Sequence, residues 1–321
     1  MTTEGSPRAG TRDEVAVRRA GTNPAGLDAV EVRLRAALAG GGAPRWLSQV
    51  AGGVPDLECD TLGPDEDAVR LRESFRNAGR LLSILFAEQD RQLEPARTGR
   101  LVRMALVAER GAGYCYSVVP SQHVVGFLPG AVADIAAAEA AMVRLVDLLR
   151  RDVGLRTQNP GGLAAPRRTA EVEVPPGDAG PEPDPPPFVT GDGAGALFDR
   201  ALAALDGTVL HWLGHVREQT VVFAVDRFGD RRMARHFQLM SVPARRRFYT
   251  DFAEGVVALA GRLDRVARAP LGGPLDRLVL DVEQGALVVH RLGPREHLIG
   301  ITLDQEQVAR AERAVAALPG P

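Results

Sequence analysis

Residues 101–130 read LVRMALVAERGAGYCYSVVPSQHVVGFLPG, and residues 275–304 read LDRLVLDVEQGALVVHRLGPREHLIGITLD. The two stretches align without a gap at an offset of 174: Glu109 meets Glu283, Gly111 meets Gly285, Ala112 meets Ala286, Pro120 meets Pro294, His123 meets His297 and Gly126 meets Gly300. The apolar pairs Val124/Val125 and Leu298/Ile299 also agree. The shared glycines and prolines fall where turns belong, so the chain is read as carrying one structural unit twice. That constrains the fold more than anything else in the sequence.

The repeated unit is a three-strand meander. In the second copy Leu278, Leu280 and Val282 alternate on one face, Gly285 supplies a turn, Ala286 to Leu292 return, Gly293-Pro294 turn again, and His297 to Leu303 make the third strand. Helical spacing flanks it: Phe252, Val256, Leu259 and Leu263 before, Val308, Ala311, Val315 and Leu318 after. In the first copy Ile135, Ala138, Met142, Leu145 and Leu149 mark the following helix. Upstream in the second half, Leu197 to about Glu218 has helical spacing through Phe198, Leu202, Leu205, Val209, Trp212 and Val216. A hairpin of Thr220 to Arg227 with Arg231 to Leu239 follows it. In the first half Trp46 to Ala51 and Leu57 to Thr61 are the candidates for the matching hairpin, on a weaker strand pattern.

The expected class is α/β (α+β): two related helix–antiparallel-sheet–helix sandwich domains. Residues 1–25 read as a disordered arm and 26–155 as the first domain. Residues 156–194, rich in proline, read as a semi-rigid linker, and 195–321 as the second domain. The PPP run at 185–187 reads as spacer rather than polyproline ligand.

Composition removes whole classes of chemistry. Among 39 basic residues none is lysine, which excludes a P-loop lysine, a Schiff-base lysine and the kinase strand lysine. The bias towards Ala, Gly, Arg and Val fits a GC-rich genome. The formal net charge of −2 gives no global reason to expect nucleic acid or an anionic membrane. Cys59 and Cys115 stand far apart and read as free thiols, with no CxxC zinc motif. The N-terminal stretch lacks an apolar core, and no apolar run approaches ~18 residues, so a cytoplasmic location is expected.

The motif that most invites an enzymatic reading is HWLGH, 211–215. Two histidines four apart could bind zinc on a helix, but Trp212 stands where a metalloprotease needs its glutamate, and Gly214 weakens the helix. Structural roles for His211 and His215 are expected, on that helix or on a strand with Val209, His211, Leu213 and His215 on one face. His123 and His297 each open the last strand of a meander and read as structural. PARRRFYTD, 243–251, reads as a solvated basic helix start, with an acidic partner as the functional alternative. Asp226 and Asp230 flank a turn, and Asp281 and Glu283 share a strand face; neither pair has a partner that would assign acid–base work. GDGAG, 191–195, lacks the strand that a phosphate loop requires, and no G-x-S-x-G elbow is present. No catalytic, cofactor-binding or metal residue is therefore assigned, and no cofactor is expected.

The element order resembles the roadblock / dynein-light-chain family. The residues that carry it are TVVFAVDRFGDRRMARHF for the hairpin, the helix around DFAEGVVALAGRLDRV, the meander LDRLVLDVEQGALVVHRLGPREHLIGITLD and the closing QEQVARAERAVAAL. The resemblance covers roughly 195–318 well and 65–150 in part. It implies dimers formed through the helix after the hairpin and adjoining strands, with small Ras-like GTPases or other signalling proteins as partners. In a tandem chain it implies either a homodimer or an intramolecular pseudo-dimer. Phe252, Val256, Leu259 and Leu263 are then the expected self-association or partner surface. The expected function is a non-enzymatic signalling or scaffold module. The strand reading of TVLHWLGHV would instead give three strands before the central helix. That favours a secretion-chaperone-like protein that binds unfolded or secreted chains. A hydrolase with a degenerate metal site is the third class.

Overall fold

The computed structural model describes residues 15–20, 26–40, 42–130, 134–163 and 185–319. The first half runs β1 (Ala16–Arg19), α1 (Leu27–Leu38), β2 (Trp46–Ala51), β3 (Val54–Asp60), α2 (Glu66–Leu93), β4 (Leu101–Ala108), β5 (Gly111–Val119), β6 (Gln122–Pro129) and α3 (Ile135–Asp152). The second half repeats that order: β7 (Phe188–Gly191), α4 (Ala196–Ala204), β8 (Trp212–Arg217), β9 (Thr220–Asp226), α5 (Val242–Leu271), β10 (Leu275–Val282), β11 (Gly285–Gly293), β12 (Glu296–Thr302) and α6 (Val308–Ala317). Mixed α/β architecture built on antiparallel strands is what the sequence led us to expect.

Among the described residues the strands form one twelve-stranded sheet in the order β1-β3-β2-β6-β5-β4-β10-β11-β12-β8-β9-β7. The order is a mirror: each half contributes its six strands outward from a central seam between β4 and β10. At the seam Ala105 lies opposite Val279, and the positions on either side exchange under the repeat. Alternation along each strand divides the core into two layers. Met104, Leu106, Leu278 and Leu280 pack with α2 and α5, whereas Ala105, Val107 and Val279 belong to the layer under α1, α3, α4 and α6.

The halves match beyond the meander. Trp46 opposes Asp60 in the first hairpin and Trp212 opposes Asp226 in the second, each at an offset of 166, and each hairpin has its register shift at the same place, Gln49/Val50 and His215/Val216. Asp60 then pairs with Arg72, and Asp226 with Arg246, both by bidentate hydrogen bonds. The Asp90 carboxylate accepts the N–H of Leu101 at 2.8 Å, and Asp264 that of Leu275 at 2.7 Å. The repeated glycines let the closing helices lie close on the sheet: a Cβ on Gly126 would sit 2.8 Å from Met142 Sδ, and one on Gly300 would collide with Val315.

Several expectations need correction. The helix read over Leu197 to Glu218 ends at Ala204. Asp206 accepts the N–H groups of Thr208 and Val209, Gly207 turns with φ +70°, and the chain then enters β8. Trp212 and Val216 are buried, but on a strand. The true hairpin is Trp212–Arg217 with Thr220–Asp226. Residues Arg231–Phe237 are a 3-10 turn rather than a strand, capped by Asp230, whose side chain accepts from Arg232 N. The alternative strand reading of TVLHWLGHV holds as β8, and in the second half three strands precede α5, the third being β7 rather than Arg231–Leu239. Within the expected arm 1–25, Ala16–Arg19 form β1 against β3. Within the expected linker 156–194, Pro160–Gly162 form a buried-edged 3-10 turn and Phe188–Gly191 form β7, while 164–184 lie outside the described residues.

Candidate functional site

The seam has two faces. On one, α2 and α5 pack side by side. Glu88 and Arg262, which occupy the same position in the two halves, face each other there, with Arg262 Nη2 donating to Glu88 Oε2 at 2.6 Å. Val256, Leu259 and Leu263 are buried in the layer beneath these helices, so they offer no free surface to a separate partner. Phe252 alone of the four is partly buried, beside a shallow pocket that also involves Gln89, Gln92 and Phe248. Phe252 and Leu259 stand beside Gln89 and Gln92 of α2 at that pocket.

On the other face, Arg103 of β4 stands directly opposite Asp281 of β10. Both are fully buried. Arg103 Nε donates to Asp281 Oδ2 at 2.9 Å, and the guanidinium also pairs with Glu139 of α3 and Glu312 of α6. Burial of the guanidinium opposes its charge, but the carboxylates of Asp281 and Glu312 outweigh it and hold Arg103 well above its ordinary range. Gly161 closes this side by donating its N–H to Asp281 Oδ2 at 2.6 Å. One buried cation with three acids and a backbone donor is a costly group of charges to desolvate. It holds the halves together in one register because each partner is satisfied.

Sequence reasoning missed this cluster. The signal was present: an aspartate in the middle of the apolar run LVLDV requires a buried partner, and Arg103 and Arg277 coincide in the repeat. The expected kinship of Asp281 with Glu283 is not seen, because Glu283 lies in the turn after β10, where its carboxylate accepts from Arg100 N.

Beside the closed cluster, a groove of about 510 Å³ runs between α3 and α6, with Val107, Arg277 and His290 on its floor. A second cavity of about 400 Å³ lies at the opposite end of the first meander, beside His123 and Arg100. His123 Nδ1 and Ser83 Oγ are 2.7 Å apart, but Ser83 is buried on α2 and does not line that cavity. Burial pushes His123 down to about 4.

HWLGH resolves as strand chemistry. His211 Nδ1 accepts the N–H of Leu303 at 2.8 Å, and His215 Nε2 lies 2.8 Å from Glu296 Oε1. Burial pushes His211 down to about 4, in keeping with an imidazole that accepts a backbone hydrogen bond. Among the described residues no group of three or more His, Cys, Asp or Glu side chains is arranged to hold a metal ion. The arginine cluster departs from the solvated face that was expected. Arg245 is buried, donating to His236 O at 3.0 Å, and Arg246 is held by Asp226; Arg247 is exposed. Cys59 and Cys115 are buried and free. No described helix is long and apolar enough to cross a membrane.

In comparisons with known proteins, no family model, curated protein or solved structure matches this chain. Its functional reading therefore rests on its own geometry.

Proposed function

We propose that the chain is a non-enzymatic binding module. In this reading it is a tandem of roadblock-like sandwich domains, joined through the proline-rich segment 156–194, that makes its dimer within one molecule. It presents the outer surfaces to a protein partner, a small Ras-like GTPase or a related signalling protein. One observation carries the reading: the mirrored strand order, joined through β4, β10 and the helices that follow the two hairpins. Those are the elements through which the resemblance implies dimers. Because the chain uses them on itself, partner binding falls to other faces, where switch loops of a GTPase could be held in one conformation.

The test combines light scattering with a pull-down from a GC-rich bacterial lysate, with GTP or GDP present. A monomer that recovers a small GTPase in a nucleotide-dependent way supports the proposal. A chain that recovers many unfolded or secreted proteins and no GTPase overturns it in favour of chaperone-like binding. That second reading draws on the sheet edges. Both end in four-residue strands, β1 and β7, and β7 is exposed along its length, with Phe188 and Val189 open to solvent. A strand this short is one that an extended chain can replace.

A further inference from the structure

The repeat relates Arg103 to Arg277, Asp281 to Val107, and Tyr116 to His290. The β4–β10 register places Arg103 opposite Asp281 on one side of the seam and Arg277 opposite Val107 on the other. The chain has thus built the same arginine position twice and supplied an opposing carboxylate once. On the closed side Arg103 is fully buried and saturated with acids. On the open side Arg277 Nε is buried without any hydrogen-bond partner, and so is Nδ1 of His290, its direct neighbour across β10 and β11. Glu312 gives Oε1 to Arg103 and leaves Oε2 4.0 Å from Arg277 Nε, an ion pair too long for a hydrogen bond. Asp276 is exposed at the rim and Arg313 of α6 lines the same groove. Arg277 and His290 both line the groove, and a guanidinium with an N–H left unpaired beside it is the group there that an outside acceptor would satisfy.

We propose that the groove between α3 and α6 binds an acidic peptide, with one carboxylate of the peptide taking the place on Arg277 that Asp281 takes on Arg103. A planar guanidinium receives a carboxylate through paired N–H donors, so Asp281 on the closed side is the template for the ligand. The walls supply Ile135, Ala136, Ala140, Ala309 and Ala316 for the residues that flank the acid, and the two wall carboxylates, Glu139 and Glu312, are drawn to Arg103. The site goes beyond the partner's identity, since it specifies what the partner must present.

The probe is a short capped peptide, acetyl-Leu-Glu-Leu-amide, compared with its Gln counterpart. The readout is the imidazole NMR signal of His290 in the full chain. The Glu peptide is expected to shift that signal saturably and the Gln peptide to leave it in place. Arg277→Met is expected to weaken binding at least ~10-fold, the loss of a charge-assisted pair. Val107→Asp is the sharper variant: it supplies the opposing carboxylate within the chain. It should abolish peptide binding while keeping or raising the melting temperature, so lost binding cannot be ascribed to a failed fold. Equal shifts with both peptides, no shift at millimolar peptide, or undiminished binding by Val107→Asp would each overturn the proposal. A positive titration with a negative GTPase pull-down leaves this site standing and removes only the GTPase reading.

Discussion

Laid over one another, the two halves agree in their scaffolding and differ in what they place at the seam. Both keep the Trp–Asp pair across the hairpin, the Asp–Arg bridge from hairpin to long helix, and the aspartate that holds the first residue of the meander. They part company at Ser83 and Val257, at Tyr116 and His290, and at Val107 and Asp281. A duplicated chain is its own control: what both copies retain has a reason that acts in each half, and what only one carries is free to serve something else. By that criterion the histidines that open β6 and β12 and the two arginines of the seam belong to the scaffold, and the residue that opposes each arginine, Asp281 on one side and Val107 on the other, does not.

The largest test of this division removes Asp60 or Asp226. Each carboxylate is buried, accepts a backbone N–H (Leu62 or Phe228) and anchors an arginine of the neighbouring helix. Asp60→Ala and Asp226→Ala should each cost about 3 kcal/mol, because the arginine loses its counter-ion and the N–H its acceptor. Urea unfolding should show the two losses equal and each in a single transition, since both halves share one sheet. A large inequality, or a biphasic curve for only one variant, would mean that the halves are not equivalent supports.

The legibility of the fold follows the same line. The meanders and their closing helices could be read because they align without a gap and keep period-2 and period-3.6 patterns. The first-half hairpin was legible too, Trp46–Ala51 with Val54–Asp60, and so was Thr220–Asp226; the partner of the latter was not, because the second half carries extra residues between β9 and α5, where the 3-10 turn Arg231–Phe237 lies, and the repeat loses register there. Helical spacing through Phe198, Leu202, Leu205, Val209, Trp212 and Val216 then misled, since local pattern says nothing of the Asp206-Gly207 turn that interrupts it. Of the site, the paired arginines were visible and their inequality was not. Whether a strand residue faces Asp or Val depends on the β4–β10 register, which joins residues 178 apart. Phe252, Val256, Leu259 and Leu263 had the spacing of one helical face, and that face packs into the core layer beneath α5.

A medium effect should come from the paired histidines. Burial pushes both His123 and His297 down to about 4. The unfolded imidazole has a pKa of about 6.5. The folded state therefore binds fewer protons than the unfolded one between those values. The stabilisation is complete above about pH 6.5 and is lost as the pH falls towards 4. The urea midpoint should drop steadily over this window. His123→Gln and His297→Gln should each flatten the drop, and by similar amounts if the histidines are scaffold. Were His123→Gln alone to flatten it, the Ser83 contact, which has no counterpart at Val257, would set His123 apart.

The smallest effect concerns how the halves choose each other. Glu88 and Arg262 hold equivalent positions beside the central axis, with Arg262 42% exposed. A pair so placed separates pairing within the chain from pairing between like halves: two first halves would bring Glu88 against Glu88, and two second halves Arg262 against Arg262. The closed cluster at Arg103 makes the same choice in buried form. For the exposed pair, Arg262→Glu should cost about 1 kcal/mol or less, more at low salt than at high salt, because solvent and ions screen charges at this depth. Restoring opposite charge with Glu88→Arg in the same chain should recover most of the loss. If the double swap recovers nothing, the pair is incidental, and the choice of partner half rests on the buried arginine alone.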